Sequence, residues 1–220
     1  MQRGAIDVVT ISREFGAGGS ELATALGERL GWPILDHALV ERVANRLRLD
    51  PRTVEQMDEH PPTLFSRIAS ALLIAPVESP MLIDTTEIMS PDAVADAATS
   101  AIREAANDPP VIIVGHGAQL LLRDRPGTLH LRLVAPPESR IDRICRRGGC
   151  DQRTAVADIR RIDDARVAYV RRYQHHDLRD PMLYDLVINT GRIPVEDAAD
   201  LVASEVRATA ARQETERAAS

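Results

Sequence analysis

Three glycines and a serine near the amino terminus form a turn of the kind that binds phosphate groups. The turn reads Ser12-Arg13-Glu14-Phe15-Gly16-Ala17-Gly18-Gly19-Ser20. Glycines let successive backbone amides converge on phosphate oxygens, and the amino-terminal end of a following helix adds positive potential. The Ser20 hydroxyl is also the candidate ligand for a magnesium ion. The candidate phosphate-binding residues are therefore Gly16, Ala17, Gly18, Gly19, Ser20 and Glu21.

The turn lacks the lysine that such loops usually carry, and so does the whole protein, because all 27 Lys+Arg residues are arginine. Against the pattern G-x-x-x-x-G-K-[ST], Gly18 and Ser20 match. Arg13 stands at the first glycine and Gly19 at the lysine. The dinucleotide pattern G-x-G-x-x-G fails because its third glycine is Glu21. On the loop alone, a phosphate cradle and a plain glycine-rich turn with Ser20 as helix N-cap both stay open.

Arg13 is the residue that can replace the missing lysine. It leaves the first predicted strand directly beneath the turn, and a guanidinium can form two parallel hydrogen bonds with phosphate oxygens. The neighbouring Glu14 would repel a polyphosphate unless it pairs with Arg13, faces away from the ligand or helps to hold Mg²⁺ through water. We therefore expect Arg13 to act on phosphate and leave the place of Glu14 open.

The elements that must position these residues alternate between strands and helices. Short apolar and β-branched runs predict strands at Asp7–Ile11, Trp32–Leu35, Val111–Val114, Thr128–Val134 and Leu186–Ile188. Apolar residues at helical spacing predict helices at Ser20–Leu30, His37–Arg48, Ala118–Arg123, Glu138–Arg147, Thr154–Tyr173 and Val195–Ala211. Such alternation predicts an α/β fold, a three-layer sandwich around a central five-stranded parallel sheet.

One domain accommodates the whole chain, residues 1–220. Residues 5–49 and 110–211 form its predicted core. Within 50–109 the helical pattern is broken repeatedly by proline, which predicts several short helices inserted over the sheet. The polar residues 212–220 predict a frayed tail.

Composition narrows the classes of partner. A net charge of -6 and a pI near 5.5 argue against nucleic-acid binding through overall charge. Cys145 and Cys150 have no histidine at ligand spacing, so a zinc site is not expected, and a disulfide is the less favoured alternative. Charged residues interrupt the apolar runs of the first thirty positions, so we expect neither a signal peptide nor a membrane partner, and we expect a cytoplasmic protein.

Two later stretches join the glycine turn in one pattern. The first, Leu35-Asp36-His37-Ala38-Leu39-Val40-Glu41-Arg42, holds an aspartate and an arginine six positions apart. The second runs Arg160-Arg161-Ile162-Asp163-Asp164-Ala165-Arg166, then Arg171-Arg172, and ends at Tyr184-Asp185-Leu186-Val187-Ile188-Asn189-Thr190. Together with Ile11–Glu21, these stretches resemble the cytidylate kinase-like branch of the nucleoside monophosphate kinases, from about Val8 to Val202.

The resemblance implies a P-loop NTPase-type fold with a helical acceptor-side insertion and a helical, arginine-rich lid at 148–180. It implies ATP and Mg²⁺ as cofactors and a small nucleotide as substrate, bound by Asp36 and Arg42. Arginines of the lid would stabilise the charge of the transferring phosphoryl group, and the candidates are Arg161, Arg166 and Arg172.

One departure concerns the end of the strand at Val111–Val114. The family usually has Gly-Arg there, whereas this chain has Gly115-His116. His116, or a later arginine such as Arg123 or Arg125, would then take part in substrate binding.

The expected function is ATP-dependent phosphoryl transfer to a nucleoside monophosphate, CMP or dCMP in the first place. Three alternatives remain at this point. They are a nucleotide-binding regulator with weak or no kinase activity, a kinase for another small acceptor, and a structural α/β partner domain.

Overall fold

The computed structural model describes residues 4–36 and 91–218, and its centre is a five-stranded parallel sheet. The strands are β1 (Val8–Arg13), β2 (Ile34–Leu35), β3 (Val111–Val114), β4 (Thr128–Val134) and β5 (Leu186–Asn189). They lie in the order β2-β3-β1-β4-β5, with β1 at the centre. Because all neighbours are parallel, every carboxyl end lies at the same edge of the sheet. The predicted α/β fold is confirmed.

Helices connect the strands and cover the sheet. They are α1 (Gly19–Leu30), α2 (Pro91–Asn107), α3 (Ala118–Leu121), α4 (Pro137–Gly148), α5 (Gln152–Gln174) and α6 (Val195–Ala218), with a single 3₁₀ turn at Pro181–Leu183. α1 packs against α6, α4 packs against α5, and α2 packs on β3 and α3. No helix among the described residues combines the length and the apolar character that crossing a membrane requires.

One face of the sheet is apolar and carries the core that α1 and α6 share. Side chains alternate between faces along a strand, so Val9 and Ile11 of β1 point to the same side. They pack with Leu22 and Leu26 of α1 and with Val202 of α6, and all five are fully buried. This packing fixes α1, and with it the glycine turn that precedes α1, against the carboxyl edge of the sheet.

The other face of the sheet carries a row of polar side chains. Thr10 of β1 lies opposite His130 of β4, and Ser12 lies opposite Arg132. The Thr10 hydroxyl is 2.8 Å from Nδ1 of His130, and all four residues are buried. The sequence Thr128-Leu-His-Leu-Arg-Leu-Val already alternates in this way, which is the period of a strand with one apolar and one polar face.

Three differences from the predicted elements concern the ends of the described ranges. The predicted helix at His37–Arg48, and with it Arg42, lies outside the described residues, as does most of the proline-broken stretch. The described part of that stretch is one continuous helix, α2, which begins at Pro91. α6 continues to Ala218 where a frayed tail was expected. Its last turns are tied to the start of the chain, because Oε1 of Gln213 accepts a hydrogen bond of 2.9 Å from the amide of Ala5.

The shared core of α1 and α6 generates a stability prediction. We expect Leu26→Ala to lower the free energy of unfolding by about 3 kcal/mol, because Leu26 is fully buried and its truncation leaves a cavity. The matched control is Leu201→Ala on α6, where the leucine is 53% exposed and little should change. Urea unfolding followed by circular dichroism measures both, and equal effects of the two substitutions would contradict this view of the core.

Candidate active site

The glycine turn presents unpaired backbone amides at the start of α1. α1 begins at Gly19, and no side chain caps it. The first three amides of α1, those of Gly19, Ser20 and Glu21, have no acceptor within the helix, and none is found among the described residues. These amides and the helix dipole favour an anion at this position.

Three donors outside the turn hold its carbonyl oxygens. Arg140 donates to the Phe15 oxygen at 3.3 Å and Arg143 to the Gly16 oxygen at 2.6 Å, both from α4. The Thr190 hydroxyl donates to the Ala17 oxygen at 2.7 Å. In a trans peptide the N–H points away from the C=O, so these bonds turn the amides of Gly16 and Gly18 to the opposite side. The turn is therefore set as an anion cradle before any ligand binds.

Arg13 occupies the space that a lysine at position 19 would need. Its side chain passes between Gly19 and Gly115, the residue that follows β3. A Cβ atom on Gly19 would lie 2.7 Å from Cγ of Arg13, and one on Gly115 would collide with the Arg13 guanidinium. Only glycine at both positions leaves this path open. The cation beneath the turn thus comes from β1, and the absence of a lysine at position 19 has a steric cause.

Arg166 of α5 lies beside Arg13. Its Nη1 donates to the Arg13 carbonyl oxygen at 3.2 Å, and its guanidinium lies 5.9 Å from the centre of the Phe15 ring. Burial and the charge of Arg13 lower the pKa of Arg166 to about 9. Burial also lowers the pKa of Arg13, although the carboxylates of Asp36 and Asp163 oppose this. Two buried cations side by side form a site that an anionic ligand would stabilise.

Asp163 joins α5 to the glycine turn. Its Oδ1 accepts a hydrogen bond of 2.8 Å from the Phe15 amide, and its Oδ2 accepts one of 2.6 Å from Arg140. Asp163 also lies 3.9 Å from Arg166, one turn further along the same helix. A single carboxylate therefore fixes the turn, α4 and the arginine of α5 relative to one another.

Glu14 faces away from the ligand side of the turn. Its Oε2 accepts a hydrogen bond of 3.1 Å from the Ala135 amide, just after β4, and lies 3.8 Å from Nε of Arg140. Of the three places that the sequence left open for Glu14, the structure selects the one that faces away, and the pairing is with Arg140.

Asp36 and Ser20 provide oxygen atoms that suit a magnesium ion. The Ser20 hydroxyl lies 3.5 Å from Oδ2 of Asp36, which is 7% exposed. Oδ1 of Asp36 is buried and has no hydrogen-bond partner among residues 4–36 and 91–218. A carboxylate with a vacant oxygen beside a loop hydroxyl is a donor set of the kind that Mg²⁺ binds. The predicted metal residue, Ser20, thus has a carboxylate next to it.

His116 lies in the turn after β3, at the mouth of a pocket. Its φ of 55° is in the left-handed region, between Gly115 and Gly117, and the residue is 8% exposed. Burial and the charges of Arg13 and Arg166 lower its pKa to about 3, so the imidazole is neutral at physiological pH. Its Nε2 is buried and has no hydrogen-bond partner in the part of the chain that the structure describes. The pocket is lined by both arginines, His116 and residues of α3 and α5.

The other predicted arginines lie elsewhere. Arg161 pairs with Asp158 at 2.8 Å on an exposed part of α5. Arg172 pairs with Asp92 of α2 at 3.0 Å, near the carboxyl end of α5, and both side chains are mostly exposed. The structure thus gives these two arginines exposed carboxylate partners instead of a place beside Arg13.

Arg123 and Arg125 follow α3 on the way to β4. Arg123 is exposed. Arg125 pairs at 2.6 Å with Asp7, which precedes β1 and so lies at the opposite edge of the sheet from the glycine turn. Of the three residues considered in place of the family's arginine after β3, namely His116, Arg123 and Arg125, His116 alone lines the pocket. Cys145, in the last turn of α4, and Cys150, just after α4, are free thiols, and they form no candidate metal-binding cluster within the described part of the chain.

Sequence reasoning missed the residues that shape the turn from outside. Arg140 and Arg143 stand three positions apart on α4, directly after the carboxyl end of β4. Residues at that spacing share a helix face. The two arginines on one face of α4, the face next to the glycine turn, were the sequence feature that could have indicated this role. Arg132 was also missed, although a charged residue within an apolar strand is uncommon.

The sheet order and the glycine turn before α1 define an α/β fold of the P-loop NTPase type. Solved structures of similar fold agree. An uncharacterized protein from Eubacterium ventriosum is 22% identical, with a TM-score of 0.63 over 91% of this chain and 98% of that one. A shikimate kinase from Bacteroides thetaiotaomicron is 14% identical, with a TM-score of 0.50 over 91% of this chain and 98% of that one. At these identities, the likeness concerns the fold alone.

The chain belongs to the cytidylate kinase-like family, whose sequence profile matches residues 8–192. Membership in a kinase-like family supports phosphoryl transfer as the general chemistry. A further match, to a uronate isomerase of Corynebacterium glutamicum, is 34% identical over 92 residues. It covers 41% of this chain but only 18% of that protein, so the chain spans less than a fifth of that relative's length.

The path of Arg13 predicts a coupling between positions 13 and 19. We expect Gly19→Ala to cost about 1–3 kcal/mol of stability, because its Cβ would overlap Arg13. In an Arg13→Ala background the same substitution should cost less than about 1 kcal/mol, and a double-mutant cycle by urea unfolding measures the difference. The control is Gly148→Ala, since a Cβ there meets no atom within 4 Å. Additive effects of the substitutions at 13 and 19 would contradict the steric argument.

The neutral state of His116 predicts a pH dependence of stability. In the unfolded chain a histidine takes up a proton near pH 6.5, whereas folded His116, with a pKa of about 3, does not. Between these values the unfolded state binds more protons, so stability falls as the pH falls. From pH 7 to pH 5 the wild type should lose about 2 kcal/mol more than His116→Asn. Urea unfolding at both pH values tests this, and parallel losses in the two proteins would show that folded His116 titrates normally.

Proposed function

We propose that this protein transfers the terminal phosphoryl group of ATP to a nucleoside monophosphate, with CMP or dCMP as the first acceptors to test. The observation that carries the proposal is the path of Arg13 between Gly19 and Gly115, which places a buried cation beneath the glycine turn. The turn thus keeps a positive charge in the absence of lysine, and family membership supports kinase chemistry.

In this proposal, the donor phosphates bind the glycine turn. The amides of Gly16 and Gly18, together with the first amides of α1, would donate to phosphate oxygens. Arg140, Arg143 and Thr190 hold the opposite side of the turn in place, so its amides need no reorganisation when ATP binds.

Ser20 and Asp36 would hold the magnesium ion that accompanies ATP. In that position the two residues would hold a positive charge that offsets the negative charge of the phosphates. Asp36 was predicted to bind the acceptor, and its vacant buried oxygen suits either role. The residue that would contact the acceptor from the other side, Arg42, lies outside the described residues and stays a prediction.

Arg13 and Arg166 would stabilise the phosphoryl group during transfer. Negative charge spreads over the oxygens of this group, so preorganised cations in a water-excluded site are effective. Asp163 would help to hold Arg166 near the turn, because it lies 3.9 Å from Arg166 and also binds the Phe15 amide and Arg140. No covalent intermediate is required, since positioning and charge stabilisation carry this chemistry.

His116 gives a reason to test several acceptors. It is uncharged where the family usually has an arginine, so the pocket has one cation fewer at this position. At the position of His116, shape and hydrogen bonding would therefore contribute more to the selection of the acceptor than charge does. A screen of nucleoside monophosphates, nucleosides and small alcohols with Mg²⁺-ATP identifies which class supports turnover.

Arg13→Ala tests the proposed function. We expect the best acceptor from the screen to give steady-state ATP turnover, and Arg13→Ala to lower kcat by a factor of about 100–1,000, the usual effect of removing one preorganised donor. Arg161→Ala is the matched control, because Arg161 pairs with Asp158 on an exposed surface and its loss should change kcat less than about twofold. Tight ATP binding without turnover on any acceptor would instead support a nucleotide-binding regulator. The absence of ATP binding altogether would contradict both views.

A further inference from the structure

The two cysteines of the protein lie at the junction between α4 and α5. They are the only cysteines in the sequence, so neither has another thiol in the chain with which to react. Cys145 lies in the last turn of α4, and Cys150 comes two positions after that helix and directly before Asp151, the N-cap of α5. Both cysteines are partly buried, and both are free thiols.

The end of α4 turns the chain so that the two cysteines meet. Gly149 ends the helix in the left-handed conformation, with a φ of 63°, and its amide donates a hydrogen bond of 2.9 Å to the Cys145 carbonyl oxygen. In helix endings of this kind, the residue after the left-handed glycine often packs back against the last turn of the helix. That residue is Cys150, and its thiol shares a hydrogen bond with the Cys145 thiol. The fold therefore holds the two sulfur atoms side by side.

The junction is open to small molecules. Residues 146–149 are exposed, and a Cβ atom built on Gly148 or Gly149 would meet no described atom within 4 Å. Partial burial, and then the hydrogen bond with Cys150, raise the pKa of the Cys145 thiol, so this thiol is protonated at neutral pH. A disulfide at such an accessible place belongs to the class that small thiols can reduce again.

Both helices that meet at this junction hold the glycine turn. Arg143 of α4 donates to the Gly16 carbonyl oxygen. Asp163 of α5 accepts a hydrogen bond from the Phe15 amide. A covalent bond between the end of α4 and the start of α5 would therefore restrain two supports of the turn relative to each other.

We propose that Cys145 and Cys150 form a redox modification site, which a low-molecular-weight disulfide converts reversibly into an internal disulfide that fixes the start of α5 to the end of α4. One cysteine thiolate attacks the small disulfide, which gives a mixed disulfide and releases one small thiol. The other cysteine loses its proton and attacks the protein-bound sulfur, and the second small thiol leaves. The two protein thiols are thus oxidised, and the small disulfide is reduced to two thiols. This site does not depend on phosphoryl transfer.

Peptide mapping after incubation of the folded protein with glutathione disulfide tests the chemistry. Trypsin cuts after arginine, so the internal disulfide joins residues 144–146 to residues 148–153 in one peptide pair, which reduction separates. We expect this pair to exceed the glutathione adducts at least about tenfold, because the second step is intramolecular. The same incubation in urea should give a lower ratio, since the unfolded chain does not hold the thiols together. Glutathione adducts alone, no modification, or equal ratios in folded and unfolded protein would overturn the inference.

Amide hydrogen exchange tests the restraint on α5. We expect residues 149–155 to exchange at least about threefold more slowly in the oxidised wild type than in the reduced protein, because the disulfide opposes local opening of the junction. Dithiothreitol should restore the faster exchange. Unchanged or faster exchange in protein that carries the internal disulfide would overturn the inference.

Cys150→Ser is the matched control, and Cys145→Ser is the second variant should the first not fold. Each keeps a single thiol, so glutathione disulfide can form only a mixed disulfide with it, and exchange at residues 149–155 should stay as in the reduced protein. Equally slow exchange in the control would show that an adduct alone restrains the junction, which would overturn the inference. Because none of these measurements uses ATP, their outcomes are separate from those of the kinase assay.

Discussion

The structure around the glycine turn depends on one steric constraint, the passage of the Arg13 side chain between two backbones. Gly19 lies on one side and Gly115 on the other, and a Cβ at either position would overlap the arginine. The constraint links the amino end of α1 to the end of β3, two segments that are almost a hundred positions apart in sequence. A loop that takes its cation from the preceding strand must therefore have glycine where other loops have lysine. The use of Arg13 as the cation in place of lysine and the presence of glycine at position 19 therefore belong together as one adaptation.

Charge around this passage is balanced between neighbouring elements and not within any one of them. Arg140 of α4 donates to the Phe15 carbonyl oxygen, Asp163 of α5 accepts from the Phe15 amide, and Glu14 secures the end of β4. On the other side of the turn, Arg13 and Arg166 lie beside each other, partly buried and with lowered pKa values, so their two positive charges repel each other. The folded protein is therefore less stable at this place than it would be with an anion bound. Such a loss of stability at a functional site is common. The apolar core of α1 and α6 offsets this cost from the other face of the sheet.

The sequence predicted the sheet well, because apolar runs that are bounded by glycine and proline can form few structures other than buried strands in an α/β pattern. It placed the glycine turn between β1 and α1 for a similar reason, since the relevant residues are adjacent, whereas the roles of the turn and of Arg13 stay predictions. It did less well where tertiary contacts decide. Periodicity shows that Arg161 and Arg172 share a helix face, but it cannot show which face meets the turn, and both lie on exposed surface. The sequence left three orientations open for the Glu14 side chain. Only its contact with the end of β4 in the structure decides between them. Arg132 was visible in the alternation of β4, but its contacts with Ser12 and Tyr184 depend on elements that are distant in sequence.

The use of arginine in place of lysine has a practical consequence for chemical biology. Nucleotide-derived reagents that acylate the amine of a phosphate-loop lysine have no side-chain amine to react with in this protein, since every Lys+Arg position is arginine. Acetylation of lysine, which silences loops by removing a charge, has no target here either. Surveys of ATP-binding proteins that rely on amine labelling would pass over this kind of site. Dicarbonyl reagents directed at guanidinium groups would detect it, and a bound nucleotide would shield Arg13 from them.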